Sequence, residues 1–172
     1  MKRIDTKSLT LSAVMCALAL VLGYLEHLIP LPIGIYGIKL GLANLAVIVP
    51  LYLIGAPIAL LINILRIVLS SLLFGNTVSL AYSLAGGMLS IATMAIIKRT
   101  QRFSPEGVSI CGGITHNIGQ LVIAVILVDN LKIAFYLPVL LISGALTGAI
   151  IGACALPLIN NKHLKKLCKK QK

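Results

Sequence analysis

The sequence predicts an all-α polytopic membrane protein, a compact six-transmembrane-helix bundle. Three observations carry that prediction. Of 172 residues, 59% are hydrophobic and only 11% are charged, whereas a soluble domain carries about 25% charged residues. The mean hydropathy is +1.05. Apolar runs near twenty residues recur along the chain, each long enough for a hydrocarbon core of ~30 Å at ~1.5 Å per residue. One domain, residues 1–172, accommodates these spans and a basic tail over 160–172.

Helix one is expected over 9–29, stopped by Pro30 and Pro32. It is too long for the apolar core of a signal peptide and no A-x-A-like site follows, so it is expected to remain in the protein. The stretch 30–39, PLPIGIYGIK, is too interrupted by Gly and Pro for regular structure. Helix two is expected over 40–54, bent near Pro50, and helix three over 57–74. The short turn Gly55-Ala56-Pro57 makes those two antiparallel neighbours. Gly75-Asn76-Thr77 turns the chain into helix four, 77–97, and the polar loop KRTQRFSPEG follows. Ser104-Pro105-Glu106 starts helix five, 107–128, with a capping hydroxyl, a proline at the first position and an acid at the positive dipole end. Asp129-Asn130-Leu131-Lys132 links it to helix six, 135–159.

Charge fixes the expected orientation. The net charge of +11 is gathered in three clusters: Lys2, Arg3 and Lys7; Lys98, Arg99 and Arg102; and the tail from Lys162 onward. All lie between or beyond apolar spans, which excludes nucleic acid as the partner and fits basic loops retained in the cytoplasm. Six spans put both ends and the helix four–five loop on that side, while the other side carries only Lys39 and Lys132. The expected location is the plasma membrane, multi-pass, with both termini cytoplasmic and the tail lysines against anionic headgroups. Cys16, Cys111, Cys154 and Cys168 show no CxxC spacing and read as small packing residues.

Polar groups inside apolar spans are costly in lipid and therefore candidates for function. Helix three carries Asn63, Arg66 and Ser70 on one face, and helix five carries Gly113, His116, Asn117 and Gln120 at similar spacing. Helix four has a milder stripe: Ser79, Ser83, Gly86, Gly87 and Ser90. Arg66 and His116 fall near mid-membrane. Glu26 and His27 end helix one, and Lys39 and Asn44 open helix two, so the set outlines a cavity open outward. The candidate ligand-binding residues are therefore Arg66, His116, Asn63, Asn117, Gln120, Glu26, His27, Lys39 and Asn44. A structural reading stands beside this one: Arg66 pairs with Glu26, and His116 bonds a backbone carbonyl. Arg66, His116 and Lys39 favour a ligand with an anionic or acceptor-rich head on an otherwise greasy body, such as an isoprenoid diphosphate, a quinone precursor or a flavin-like vitamin.

Small residues form a second signal. Ala13 and Ala17, then Ala19 and Gly23, are spaced by four on helix one, as are Gly144, Gly148 and Gly152 on helix six. Such faces let helices approach closely, and on helix six packing within the bundle is the preferred reading. Catalytic patterns are missing from the sequence. It has no phosphate loop, HExxH, GxSxG or CxxC, and its four acids, Asp5, Glu26, Glu106 and Asp129, are scattered. The expectation is a non-enzyme with no metal and no cofactor of its own.

The order of a basic N-terminus, KSLTLSAVMCALALVLGYLE, a Pro/Gly loop, GIKLGLANLAVIVPLYLIGAP and four further spans resembles the substrate-binding S component of energy-coupling factor (ECF) transporters. More narrowly it resembles the Gx transporter group, often labelled heptaprenyl diphosphate synthase component I. The likeness covers essentially the whole chain, and GIKLGLANL with Ala13 and Ala17 is its most specific part. It implies a subunit that captures a vitamin-like molecule outside and docks on a membrane scaffold (T) subunit with two ATPase subunits, which consume the ATP. It also implies that Ala13 and Ala17 face the scaffold and that 30–39 covers the bound substrate. Prenyl diphosphate synthases use aspartate-rich DDxxD motifs that this sequence lacks. The alternative is thus a non-catalytic membrane partner of such a synthase; a stand-alone channel or carrier is a third reading.

Overall fold

The computed structural model describes residues 6–28 and 41–168. Lys39 and the segment 30–39 lie outside the described residues, and so does the side chain of His27. The described residues form α1 (Thr6–Leu28), α2 (Leu45–Leu53), α3 (Ala56–Phe74), α4 (Thr77–Thr100), α5 (Pro105–Val128), α6 (Leu137–Asn160) and α7 (Lys162–Cys168). Turns of 3-10 helix, Leu42–Asn44 and Leu131–Tyr136, lead into α2 and α6. No strand occurs among the described residues.

The helix starts follow from local chemistry. Asn76 Oδ1 accepts the Ser79 N–H at 2.8 Å, and Ser104 Oγ accepts the Gly107 N–H at 3.3 Å, each satisfying an N–H that the first turn leaves unpaired. Pro105 stands at the start of α5 as expected. At its other end α4 carries Lys98 and Arg99 against the negative dipole end. Gly55, at φ 140°, makes the turn from α2 to α3 in a conformation that suits glycine.

Among the described residues, five helices are long and apolar enough to cross a membrane: α1, α3, α4, α5, and α6 taken with its leading 3-10 turn. Helix two, expected over 40–54, is the short one of the six among the described residues. Its regular part is nine residues preceded by a three-residue 3-10 turn, about 20 Å of rise, short of a ~30 Å core. It is also the most enclosed element. Ala46 through Leu51 are all buried, and Val47, Ile48, Val49 and Leu51 are at most 1% exposed. The other helices turn Leu72, Ile126, Ile142 and Leu146 outward, as lipid-facing surfaces do. A helix whose middle is enclosed by protein has less need to match the bilayer. Hydropathy alone does not separate these cases, because an all-round apolar helix reads the same in a protein core as in lipid.

Around α2 the bundle closes. α3 packs on α1, α2 and α4, α5 sits between α4 and α6, and α6 returns to α2. The common core joins Met15, Ile48, Leu51, Ile62, Ile91, Val108 and Ile151. The α5–α6 pair is the closest: a Cβ on Gly144 would lie 2.7 Å from the Gly113 carbonyl oxygen, and one on Gly148 would lie 2.7 Å from the Ser109 carbonyl oxygen. The helix-six glycine stripe therefore seats α6 on α5. Lys98 donates to the Leu51 carbonyl and lies 5.0 Å over the Tyr52 ring, closing the carboxyl end of α2. The tail continues as α7, which packs on α1, α2 and α6 and buries Cys168.

Candidate ligand-binding site

Helical spacing puts Asn63 and Arg66 on the side of α3 that faces the bundle. The Asn63 amide nitrogen donates to the Gly87 carbonyl of α4 at 2.9 Å, which fixes the amide so that its oxygen faces Arg66. Arg66 Nε and Nη2 both donate to that oxygen, at 3.1 and 2.8 Å. Nη2 also donates to Asn44 Oδ1 at 2.8 Å. Asn44 belongs to the 3-10 turn that opens α2, so the network ties α3, α4 and the entrance of α2 together. Arg66 follows the start of α3 by ten residues, about 15 Å of rise, near the middle of that helix.

Glu26 brings a carboxylate to the same end of the network. Its Oε1 accepts the N–H of Leu42, two residues before Asn44, and its carboxylate acts electrostatically on Arg66. Three of the five guanidinium hydrogens are thereby directed at asparagines. Among the described residues no acceptor meets Nη1.

The polar face of α5 goes elsewhere. His116 and Gln120 pack on Gly86 of α4: a Cβ there would lie 3.2 Å from His116 Cδ2 and 2.9 Å from Gln120 Cγ. Gly87 turns the opposite way, and its Cβ would lie 3.0 Å from the Asn63 amide nitrogen. The paired glycines of α4 thus hold the α3 cluster on one flank and the α5 cluster on the other. Asn117 faces α6, donating to the Leu140 carbonyl at 2.7 Å and to Ser143 Oγ at 3.2 Å. Arg66, Asn63, Asn44 and Glu26 are brought together. His116 and Gln120 lie one helix away, and Asn117 joins α5 to α6.

A narrow crevice runs from Asn44 toward the end of the bundle that carries Lys98, lined by Ser90, Ser109, Thr147 and glycines 112, 113 and 148. Its space fits about one water. Ser109 and Thr147 carry no signal in the sequence beyond being small polar residues beside the glycines of two apolar helices. Ala13 and Ala17 are exposed on α1, whereas Ala19 is fully buried and Gly23 faces Ser70 of α3, with 3.5 Å from its Cβ position to Ser70 Oγ. The two small-residue pairs of α1 thus point in opposite directions.

The family model described as heptaprenyl diphosphate synthase component I matches residues 15–158. The chain belongs to that family. No curated protein and no solved structure matches it. The matched stretch of this component I member contains every side chain of the Arg66 network and the whole of α2 to α5. The family description makes the chain one component of an assembly that has others.

Proposed function

We propose that this component I protein is a non-catalytic membrane subunit that captures a small molecule with a polar head and an apolar body, and hands it to partner subunits. Arg66 anchors the head, positioned by Asn63 and Asn44. His116 and Gln120 border the same region across the α4 glycines, and Asn117, His27 and Lys39 complete the candidate set. The observation that carries this reading is the Nη1 of a guanidinium enclosed in an apolar bundle, which no acceptor among the described residues meets, where a charge kept without use is costly. The resemblance to S components gives the assembly: an ECF-type importer at the plasma membrane, with a scaffold subunit docked on Ala13 and Ala17 and two ATPases supplying energy.

The family description favours a second reading of the same site. There the chain is the membrane partner of a prenyl diphosphate synthase, holding a prenyl substrate or product for a catalytic subunit that carries the aspartates this sequence lacks. Affinity purification of the full chain from native membranes separates the two. Recovery of a scaffold protein and ATPases supports import, and recovery of a soluble prenyl synthase supports the second reading. Native mass spectrometry of the same sample reads the bound molecule. Wild-type ligand retention in folded Arg66→Gln would remove Arg66 from the site under both.

A further inference from the structure

Arg66 is oriented in a way that limits what it can hold. A guanidinium grips a carboxylate or phosphate with two parallel hydrogen bonds, through its Nε–Nη2 edge or its Nη1–Nη2 edge. Both edges need hydrogens that are already spent. Nε and Nη2 are turned to Asn63, and the second Nη2 hydrogen goes to Asn44. The Asn63 amide cannot turn away to release them, because it is 1% exposed and its nitrogen is held by the Gly87 carbonyl. Only the Nη1 hydrogens remain for a ligand.

Charge points the same way. Glu26, fixed on the Leu42 N–H two residues from Asn44, brings a carboxylate to the side of the network that holds Arg66. A diphosphate would bring two or more negative charges to a region that already holds that carboxylate, in surroundings of low dielectric where unpaired charge is strongly disfavoured.

Building on the reading of Arg66 as the ligand anchor, we infer that the head it selects is neutral and offers one acceptor oxygen to Nη1: a quinone, carbonyl or alcohol oxygen rather than a diphosphate. Glu26 is then the residue that sets this preference, by removing the excess positive charge that would otherwise attract an anion.

The test uses two probes with one tail, farnesol and farnesyl diphosphate, titrated against the full chain in nanodiscs of zwitterionic lipid. Wild type should bind farnesol at least about tenfold more tightly than the diphosphate. Glu26→Gln leaves Arg66 uncompensated and should raise diphosphate affinity by about tenfold or more. Glu26→Asp keeps the charge and should keep the wild-type order. A wild-type preference for the diphosphate overturns the proposal while leaving Arg66 as the anchor. An unchanged order in folded Glu26→Gln overturns the role of Glu26. If neither probe binds, or both bind folded Arg66→Gln as tightly as wild type, the proposal falls together with the anchor reading on which it rests.

Discussion

Asn44 Oδ1 receives a hydrogen bond of 2.8 Å from Arg66 Nη2, which couples the entrance of α2 to the middle of α3. Neither residue is adjacent to the other in any sequence pattern. The contact exists because α2 begins part-way into the bundle, so that its first turn reaches the depth of Arg66.

Removing either asparagine should leave part of a buried guanidinium without an acceptor. Asn63→Leu and Asn44→Leu are each expected to cost about 1–3 kcal/mol, with Asn63→Leu the larger because it also frees the Gly87 carbonyl. Thermal unfolding in detergent measures both. Unfolding temperatures at wild-type level would show that the network contributes nothing to stability.

The α5–α6 seam is expected to tolerate no side chain. Gly113 and Gly144 meet backbone to backbone, and a Cβ on Gly144 would also come within 2.9 Å of the Asn117 amide nitrogen. Gly144→Leu must separate the helices and should cost about 3 kcal/mol or more. Gly107 offers the control, since its nearest neighbour, the Phe103 ring, would lie at 3.6 Å. Gly107→Ala should leave folded yield unchanged.

If Ala13 and Ala17 form the docking face, docking and folding are separable on α1. Ala13→Leu and Ala17→Leu lie on the exposed face and should leave the unfolding temperature within error while abolishing co-purification of the membrane partner. Ala19→Leu, at a fully buried position, should destabilise the chain itself. Normal partner recovery with both exposed variants would move the docking surface off α1.

Topology is tested from outside the cell. With cytoplasmic termini, single cysteines placed at Asn76 and Asn130, in a chain whose four native cysteines are replaced, should react with a membrane-impermeant maleimide. One at Gln101 should react only after lysis. The reverse pattern would invert the orientation.

Much of the fold was legible because membrane helices announce themselves by length and by the prolines and glycines that end them. Ser104 and Asn76 marked their helix starts, and the glycines of helix six marked a packing face. The sequence did not disclose that helix two is a short core element, since its apolar residues run all round. The site was legible as a set of polar positions but not as a geometry. Asn63 and Asn117 share the same residue type and the same kind of stripe, yet one positions Arg66 and the other joins α5 to α6. Rotation of each helix about its axis decides such partners, and it is fixed by contacts such as Gly86 on His116 and Gly87 on Asn63 that no single stripe encodes.

The enclosure of α2 also bears on how the protein responds to membrane thickness. α4, α5 and α6 each have 24 residues, about 36 Å of helix against a hydrocarbon layer of ~30 Å. Tilting is one way such helices fit. Changing the acyl-chain length of the surrounding lipid should then alter the lean of the outer helices, while α2, enclosed over Ala46 to Leu51, is held by its neighbours. Any such tilt is felt where the leaning helices grip the stationary one: at Lys98 on Leu51 near one end, and at Arg66 on Asn44 near the other.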